Sequence, residues 1–311
     1  MHPLAIQDGS PPGAELLTGA AGPYAGLLFR LYRALLAWTA SPDSPPPCDY
    51  PAIRRIEDAL LARLETDPIA PALAVVCGTL LRGTETDPAE AAWACLTVSD
   101  WAIERGDGGT ALAFAQLAAW VWPQNARYAW IVARLLFGEG RFREAEPWYR
   151  RAHRVAVWSD DWEAQARALN SLGLDHSEQG SFPVAMRYYL RAITVASRRG
   201  VKDVEGMATH NLFVLHAQTG EAQSAERYAA RAFYLYGSKH PRLPELVEDI
   251  AHFWNDRGYY GRTFPVFQML ADRYSTPPAS IRVRAGLARA AGGVGKRFEF
   301  AASYDEVRRY A

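Results

Sequence analysis

The chain has 311 residues, of which 49% are hydrophobic, so it can bury a large core and wholesale disorder is excluded. Its 34 basic and 34 acidic residues cancel, and this neutrality gives no electrostatic reason to expect nucleic acid or an anionic membrane as a partner. Three cysteines, Cys48, Cys77 and Cys95, have no CxxC spacing, which argues against a disulfide framework and against a zinc site.

The first 50 residues divide into two predicted segments. Residues 1–22 are rich in Gly and Pro and are predicted to be a flexible tail without the pattern of a signal peptide. Residues 23–50 are predicted to form an amphipathic helix and a Pro-rich connector. The helix is short and carries Arg30 and Arg33, so we do not expect it to span a bilayer; binding at a membrane surface stays open as an alternative. A cytoplasmic protein is the simplest interpretation.

Residues 51–311 form the third predicted segment, and almost all of it has helical periodicity interrupted by short polar turns. The turns recur, because the glycines in five of them are 34, 40, 40 and 38 residues apart. A helical chain that is self-similar at this period is typical of a helical repeat protein. The turn glycines are Gly106, Gly140, Gly180, Gly220 and Gly258.

Side chains also recur in register with these glycines. In the two central units the turn glycine is preceded, at eleven, eight, seven and four positions, by an apolar, a large, a small and another large residue, and it is followed at five and nine positions by Ala and Tyr. The other three units keep this spacing with departures, such as Thr263 where the central units have Ala. In the unit around Gly140 these positions are Ala129, Val132, Ala133, Leu136, Ala145 and Tyr149. In the unit around Gly180 these positions are Leu169, Leu172, Gly173, His176, Ala185 and Tyr189.

This pattern resembles the tetratricopeptide repeat family, in a long form of about 40 residues per repeat. The resemblance covers roughly 92–272, with degenerate units at 52–82 and 279–311. In repeat length and style the units are similar to those of kinesin light chains and of bacterial regulators that bind signalling peptides. The resemblance implies an all-α, right-handed α-solenoid of about six or seven stacked antiparallel helix hairpins, so that 51–311 would form one superhelical domain.

The stretch LGLDHSEQG places Asp175, His176, Ser177 and Glu178 side by side. These residue types occur in catalytic and metal sites, but successive helical residues point about 100° apart, so four neighbours cannot converge on one substrate. His176 also falls at a repeat position that His216 shares 40 residues later, which favours packing. A metal site formed by His176, His216 and His210 or His252 is an alternative, but no HExxH or similar ligand spacing supports it. We therefore predict no enzyme, no cofactor and no metal.

The resemblance implies that the first helices of the hairpins line a concave groove. We expect the groove to hold an extended peptide, because Asn can donate to and accept from a peptide backbone and Arg can bind a carboxylate; Asn211 falls where family members place such an Asn. A solvated polar face is the plainer alternative. The predicted binding residues are Arg127, Trp130, Arg134, Arg167, Asn170, His210, Asn211, Glu248 and His252.

The predicted function is therefore a non-enzymatic protein- or peptide-binding module, a regulator or adaptor. The alternative is a structural subunit that assembles through surfaces rich in Trp, of which the chain has ten. The predicted partner is a protein or peptide, with a homo-oligomer possible. The basic C-terminal segment is interpreted as a solvated cap, and no nucleic acid is expected.

Overall fold

The computed structural model describes residues 24–40, 48–274 and 279–309, and these contain fifteen α-helices, one short 3₁₀ turn and no strand. The predicted tail, 1–22, and most of the predicted connector, 41–47, lie outside the described residues. Among the described residues, no helix is long and apolar enough to cross a membrane. The helices are α1 Ala25–Ala40, α2 Tyr50–Leu61, α3 Ala70–Arg82, α4 Pro88–Glu104, α5 Gly108–Val121, α6 Ala126–Gly138, α7 Phe142–Trp158, α8 Trp162–Glu178, α9 Phe182–Arg199, α10 Lys202–Gln218, α11 Ala222–Tyr236, α12 Leu243–Asn255, α13 Tyr260–Arg273, α14 Ala279–Gly293 and α15 Arg297–Arg308.

Helix boundaries follow from short polar residues and glycines in the sequence. Several helices begin where an acidic side chain accepts a backbone N–H in the first turn, as Asp87 does for α4 and Asp161 does for α8. Each of the five predicted turn glycines has a positive φ, between 72° and 80°, a conformation that glycine adopts without the Cβ clash that other residues suffer. The predicted turn positions are thereby confirmed.

The chain divides into two compact units, Met1–Gln179 and Gly180–Ala311. In the N-terminal unit, α2 packs on α3, α4 on α5 and α6 on α7 as hairpins, and α8 packs on α7. Helix α1 packs on α3 and α5 through fully buried side chains such as Tyr32, whose ring centroid lies 6.3 Å from that of Phe114. The N-terminal helix is therefore part of this unit's core.

The C-terminal unit consists of α9, packed on α10, and three hairpins, α10 with α11, α12 with α13 and α14 with α15. Its apolar core forms two clusters. One is centred on Phe213, Tyr236 and Phe253, and the other on Phe267 and Leu287. Both units thus show the predicted fold class, an all-α helical repeat of the solenoid type.

Helices in the C-terminal unit approach each other most closely where glycine faces an aromatic ring. A Cβ atom added at Gly206 would lie 2.6 Å from the ring of Tyr236, and one added at Gly286 would lie 2.3 Å from the ring of Phe267. Neither distance is possible between real atoms, so these glycines are required for the observed helix spacing. The carbonyl of Gly286 also accepts a hydrogen bond from Asn255 Nδ2 at 3.0 Å, which a shift of α14 would strain.

Substituting Gly286→Ala should lower the free energy of unfolding by about 1–3 kcal/mol, because the methyl group overlaps the ring of Phe267 and forces the packed helices apart. The control is Gly261→Ala, since an added Cβ there meets nothing within 4 Å. Urea unfolding followed by circular dichroism measures both. The double variant Gly286→Ala with Phe267→Leu should lose less free energy of unfolding than the two single variants lose together. Strictly additive losses would contradict the proposed overlap.

Candidate functional site

In the N-terminal unit, the predicted groove residues of α6 and α8 come together around Trp130. The indole N–H of Trp130 donates to Ser171 Oγ at 2.9 Å, which joins the two first helices of consecutive repeats. The guanidinium of Arg134 lies over the Trp130 ring, 4.9 Å from its centroid, within the range of a cation–π contact. Trp130 and Ser171 are both only half-buried, so this cluster stays open to solvent.

The three predicted arginines of this surface differ in their partners. Arg127 and Arg134 are exposed, and among the described residues neither guanidinium forms a salt bridge to a carboxylate. Arg127 acts on the charge of Asp100 on α4: partial burial raises the pKa of Asp100, and Arg127 opposes that rise. Arg167 instead pairs with Glu163 on its own helix at 2.9 Å. Arg127 and Arg134 are therefore the cations available to a ligand.

Two predicted residues stand apart from this open cluster. Asn170 is only 9% exposed, and Asn211, in the C-terminal unit, is half-buried. Both take part in interactions inside the protein. Their role as contacts to a peptide backbone stays a prediction.

In the C-terminal unit, the structure buries His210 rather than presenting it to solvent. It is 2% exposed, and its Nε2 lies 2.9 Å from Asp249 Oδ2 on α12. Its other ring nitrogen, Nδ1, lies 3.4 Å from the hydroxyl of Tyr236 on α11, and its ring stacks on Phe213. His210 thus connects three helices, and a ligand could reach it only after these contacts open.

The acidic positions of α12 face Arg282, a residue that the sequence analysis did not assign to the site. Arg282 Nη2 donates to Asp249 Oδ1 at 2.8 Å, and its Nε lies 3.1 Å from Glu248 Oε1. Arg282 occupies α14, the first helix of the last hairpin, 33 residues after Asp249. That offset, close to one repeat, is the sequence signal that could have revealed it.

Burial and neighbouring charges raise the pKa of Glu248 and lower the pKa values of Asp249 and His252. Burial raises the pKa of Glu248, which is 6% exposed, against the opposing charge of Arg282. Burial would also raise the pKa of Asp249, but His210 and Arg282 together hold it below its usual value. Burial lowers the pKa of His252, and Arg282 lowers it further. These predicted ligand contacts therefore belong to an internally compensated charge network.

The four polar side chains of LGLDHSEQG do not converge. Asp175 is fully buried and accepts a hydrogen bond from Gln179 Nε2 at 2.8 Å, whereas Glu178 is exposed. His176 points to Glu146 on α7, with Nε2 3.5 Å from Oε1. Burial raises the pKa of Asp175 to about 6, and the nearby charge of Glu146 adds to the rise. The stretch therefore packs α8 on α7.

The second histidine of that repeat position, His216, is also engaged in packing. It is 6% exposed, its Nδ1 lies 3.1 Å from Glu221 Oε2, and its ring stacks on Tyr228 with 4° between the planes. Among the residues that the structure describes, no group of three or more His, Cys, Asp or Glu side chains is placed to hold a metal ion.

The repeated hairpins agree with a family match. The model for the tetratricopeptide repeat matches residues 125–198, the stretch from the N-cap of α6 to the last turn of α9. Residues 125–198 are therefore similar in sequence to tetratricopeptide repeats. No curated protein sequence matches the chain at a significant level.

Solved structures with the tetratricopeptide fold resemble the chain over most of its length. The apo form of RapI has a TM-score of 0.60 at 9% identity, covering 91% of this chain and 87% of that one. PilF of Pseudomonas aeruginosa has a TM-score of 0.55 at 19% identity, covering 72% and 93%. A Rap protein complexed with competence and sporulation factor has a TM-score of 0.51 at 14% identity, covering 82% and 73%. At these identities the likeness shows the fold.

Replacing the buried carboxyl of this repeat protein, Asp175→Asn, should stabilise it at about pH 7.5 by about 1–2 kcal/mol. The folded protein holds the Asp175 proton up to about pH 6, whereas the unfolded chain releases it near pH 4. The stability cost of this carboxyl therefore grows between about pH 4 and about pH 6 and stays constant above that range. Below about pH 4 the carboxyl is protonated in both folded and unfolded chains, and the advantage of Asn should vanish. Urea unfolding at a series of pH values measures the difference.

The control for this experiment is Glu178→Gln, which removes an exposed carboxyl from the same helix and should change stability little at any pH. An advantage of Asp175→Asn that stays constant from pH 4 to about pH 8 would contradict the assigned ionisation.

Proposed function

We propose that this chain is a non-enzymatic interaction module that binds an extended peptide or protein segment on the surface formed by the first helices of its repeats. The observation that carries the proposal is the cluster of Trp130, Ser171 and Arg134. It joins two consecutive first helices through one hydrogen bond and leaves a cation on an aromatic face open to solvent.

This arrangement suits a carboxylate ligand. A guanidinium presents two parallel N–H donors to a carboxylate, and such charge-assisted bonds are stronger than neutral ones. Contact with the Trp130 ring restricts Arg134 before a ligand arrives, so less side-chain entropy is lost on binding. Arg127 adds a second exposed cation on the same helix. The expected ligand therefore carries an acidic side chain or a free C-terminal carboxylate.

A role as regulator or adaptor, in a cytoplasmic and bacterial setting, is the finer part of the proposal. It is supported by the likeness in fold to RapI and to the Rap protein complexed with competence and sporulation factor. The chemistry of the site suits binding rather than reaction, because His176, His210 and His216 contact packing partners.

Substituting Arg134→Glu should weaken peptide binding about tenfold, because the variant loses a charge-assisted hydrogen bond to the ligand. The probe is a phage-displayed library of random peptides of about 12 residues, long enough to cross several first helices in extended form. Peptides selected on the protein should be enriched in acidic residues, and their affinities are measured by fluorescence anisotropy. The melting temperature should change little, because Arg134 is exposed and forms no salt bridge within the described residues.

The matched control is Arg143→Glu, the same charge reversal at an exposed position on the second helix α7, which should leave the affinity unchanged. Equal affinity of the selected peptides for the unmodified protein and the Arg134→Glu variant would refute the proposed surface.

Assembly into a constitutive complex is the second candidate function, and exposed Trp side chains favour it. Trp158 at the end of α7 is 73% exposed and Trp93 on α4 is 54% exposed. Trp is a preferred anchor of protein interfaces, so both side chains suit contacts with another chain. Val157, next to Trp158, is also exposed. The assembly hypothesis requires these side chains to become buried against another chain.

If assembly is the function, the protein should elute as an oligomer at every concentration on a sizing column with light scattering, and Trp158→Ser should convert it to monomer. Arg134→Glu should leave that oligomer intact. A monomer at every concentration would argue against a homo-oligomeric assembly and leave the peptide-binding proposal as the one to pursue.

A further inference from the structure

An open apolar groove of about 660 Å³ lies in the C-terminal unit, on a different set of helices from the Trp130 cluster. One wall is α11, with Ala229, Ala230 and Phe233, and the other is α13, with Thr263 and Val266. The floor is α12. Phe233 is 50% exposed and Ala230 is exposed, so the groove opens to solvent along its length.

The groove follows from the residues of α12. In the other hairpin contacts of this unit, glycine on a first helix admits a ring from a second helix, as Gly206 admits Tyr236 and Gly293 admits Tyr260. Helix α12, LPELVEDIAHFWN, has no glycine. Its residues Phe253 and Trp254 line the groove, which lies where the two core clusters of the unit remain separate.

The shape of the groove suits a helix. Its walls, α11 and α13, are the second helices of consecutive hairpins, and the space between them is open to solvent. A small molecule would leave that opening solvated, whereas closed pockets bury most of a small ligand. An amphipathic helix would bury its apolar side against Phe233, Ile250 and Val266 and keep its polar side in water.

Charge at the rim specifies the helix further. Arg262 lines the groove from α13, with its guanidinium 6.0 Å from the ring centroid of Trp254 and 5.7 Å from that of Tyr259. Glu226 lines it from α11. Both are exposed, and within the described part of the chain neither forms a salt bridge. A complementary helix carries an acidic residue beside Arg262 and a basic one beside Glu226.

We infer that this groove is a second docking site, which takes an amphipathic α-helix of a protein partner with an acidic residue placed against Arg262. The site is separate from the Trp130 cluster that carries the proposed function, because it uses α11, α12 and α13 and apolar contacts rather than α6 and α8. A second copy of this chain and an extended peptide are the rival occupants, and the experiment separates them.

The probe is a phage-displayed library of peptides of about 18 residues, roughly five helical turns, with Leu at helical spacing on one side and random residues beside the Leu stripe. Selection on the full chain should enrich an acidic residue at one flanking position. Arg262→Glu should weaken the selected peptides about tenfold, and a new selection on that variant should enrich Lys or Arg at the same position.

Three controls complete the test. Arg227→Glu, an equal charge change at an exposed position of α11 that does not line the groove, should leave affinity unchanged. Ala230→Trp, which fills the groove from its rim, should abolish binding. Arg134→Glu should have no effect, so that failure here and failure of the proposed function can be told apart.

The inference is overturned by any of four results. The selected peptides could show no charge preference at the flanking position, or bind equally well to Ala230→Trp. Peptides in which Pro replaces a central residue, and which therefore cannot stay helical, could bind as tightly as their parents. Alternatively, sedimentation of the protein alone could show a dimer that Ala230→Trp dissociates, which would make a second copy the occupant.

Discussion

A helix hairpin of this chain cannot bury its apolar residues by itself, so its stability depends on packing against neighbouring hairpins. Helix α5, with helices packed on several sides, buries eleven of its fourteen residues. Helix α15, close to the end of the described chain, buries only Ser303. The difference reflects neighbours rather than composition alone, since α15 also contains Phe298, Phe300 and Tyr304. Stability in such a chain is a property of junctions between hairpins.

The repeat positions could be predicted from the sequence because they are set by that stacking. Ala145, Ala185 and Tyr189 were assigned to packing positions from spacing alone, and the structure buries all three almost completely. The turn glycines can also be predicted from the sequence, because a positive φ strongly favours glycine. The same packing constraints act at every repeat, so a weak match to the pattern in one unit is supported by the matches in the other four units.

The partners of individual side chains could not be predicted in the same way. A groove position and a core position differ by a single residue on a helix, about 100° of rotation. Whether His210 turns inward depends on Asp249 and Tyr236, which come from other helices and follow no family pattern. The pairing of Arg282 with Glu248 and Asp249 has the same origin. Spacing identifies the helix face, and tertiary contacts then decide which polar residues remain available.

Within each unit, helices pack mainly against helices that are near in sequence, such as α6 with α7 and α8, or α13 with α12 and α14. Contacts of this kind close only short loops of chain, so little entropy is lost before they form. Chains with a low contact order fold quickly. We therefore expect each unit to form its hairpins on a fast timescale, with growth from whichever hairpin nucleates first.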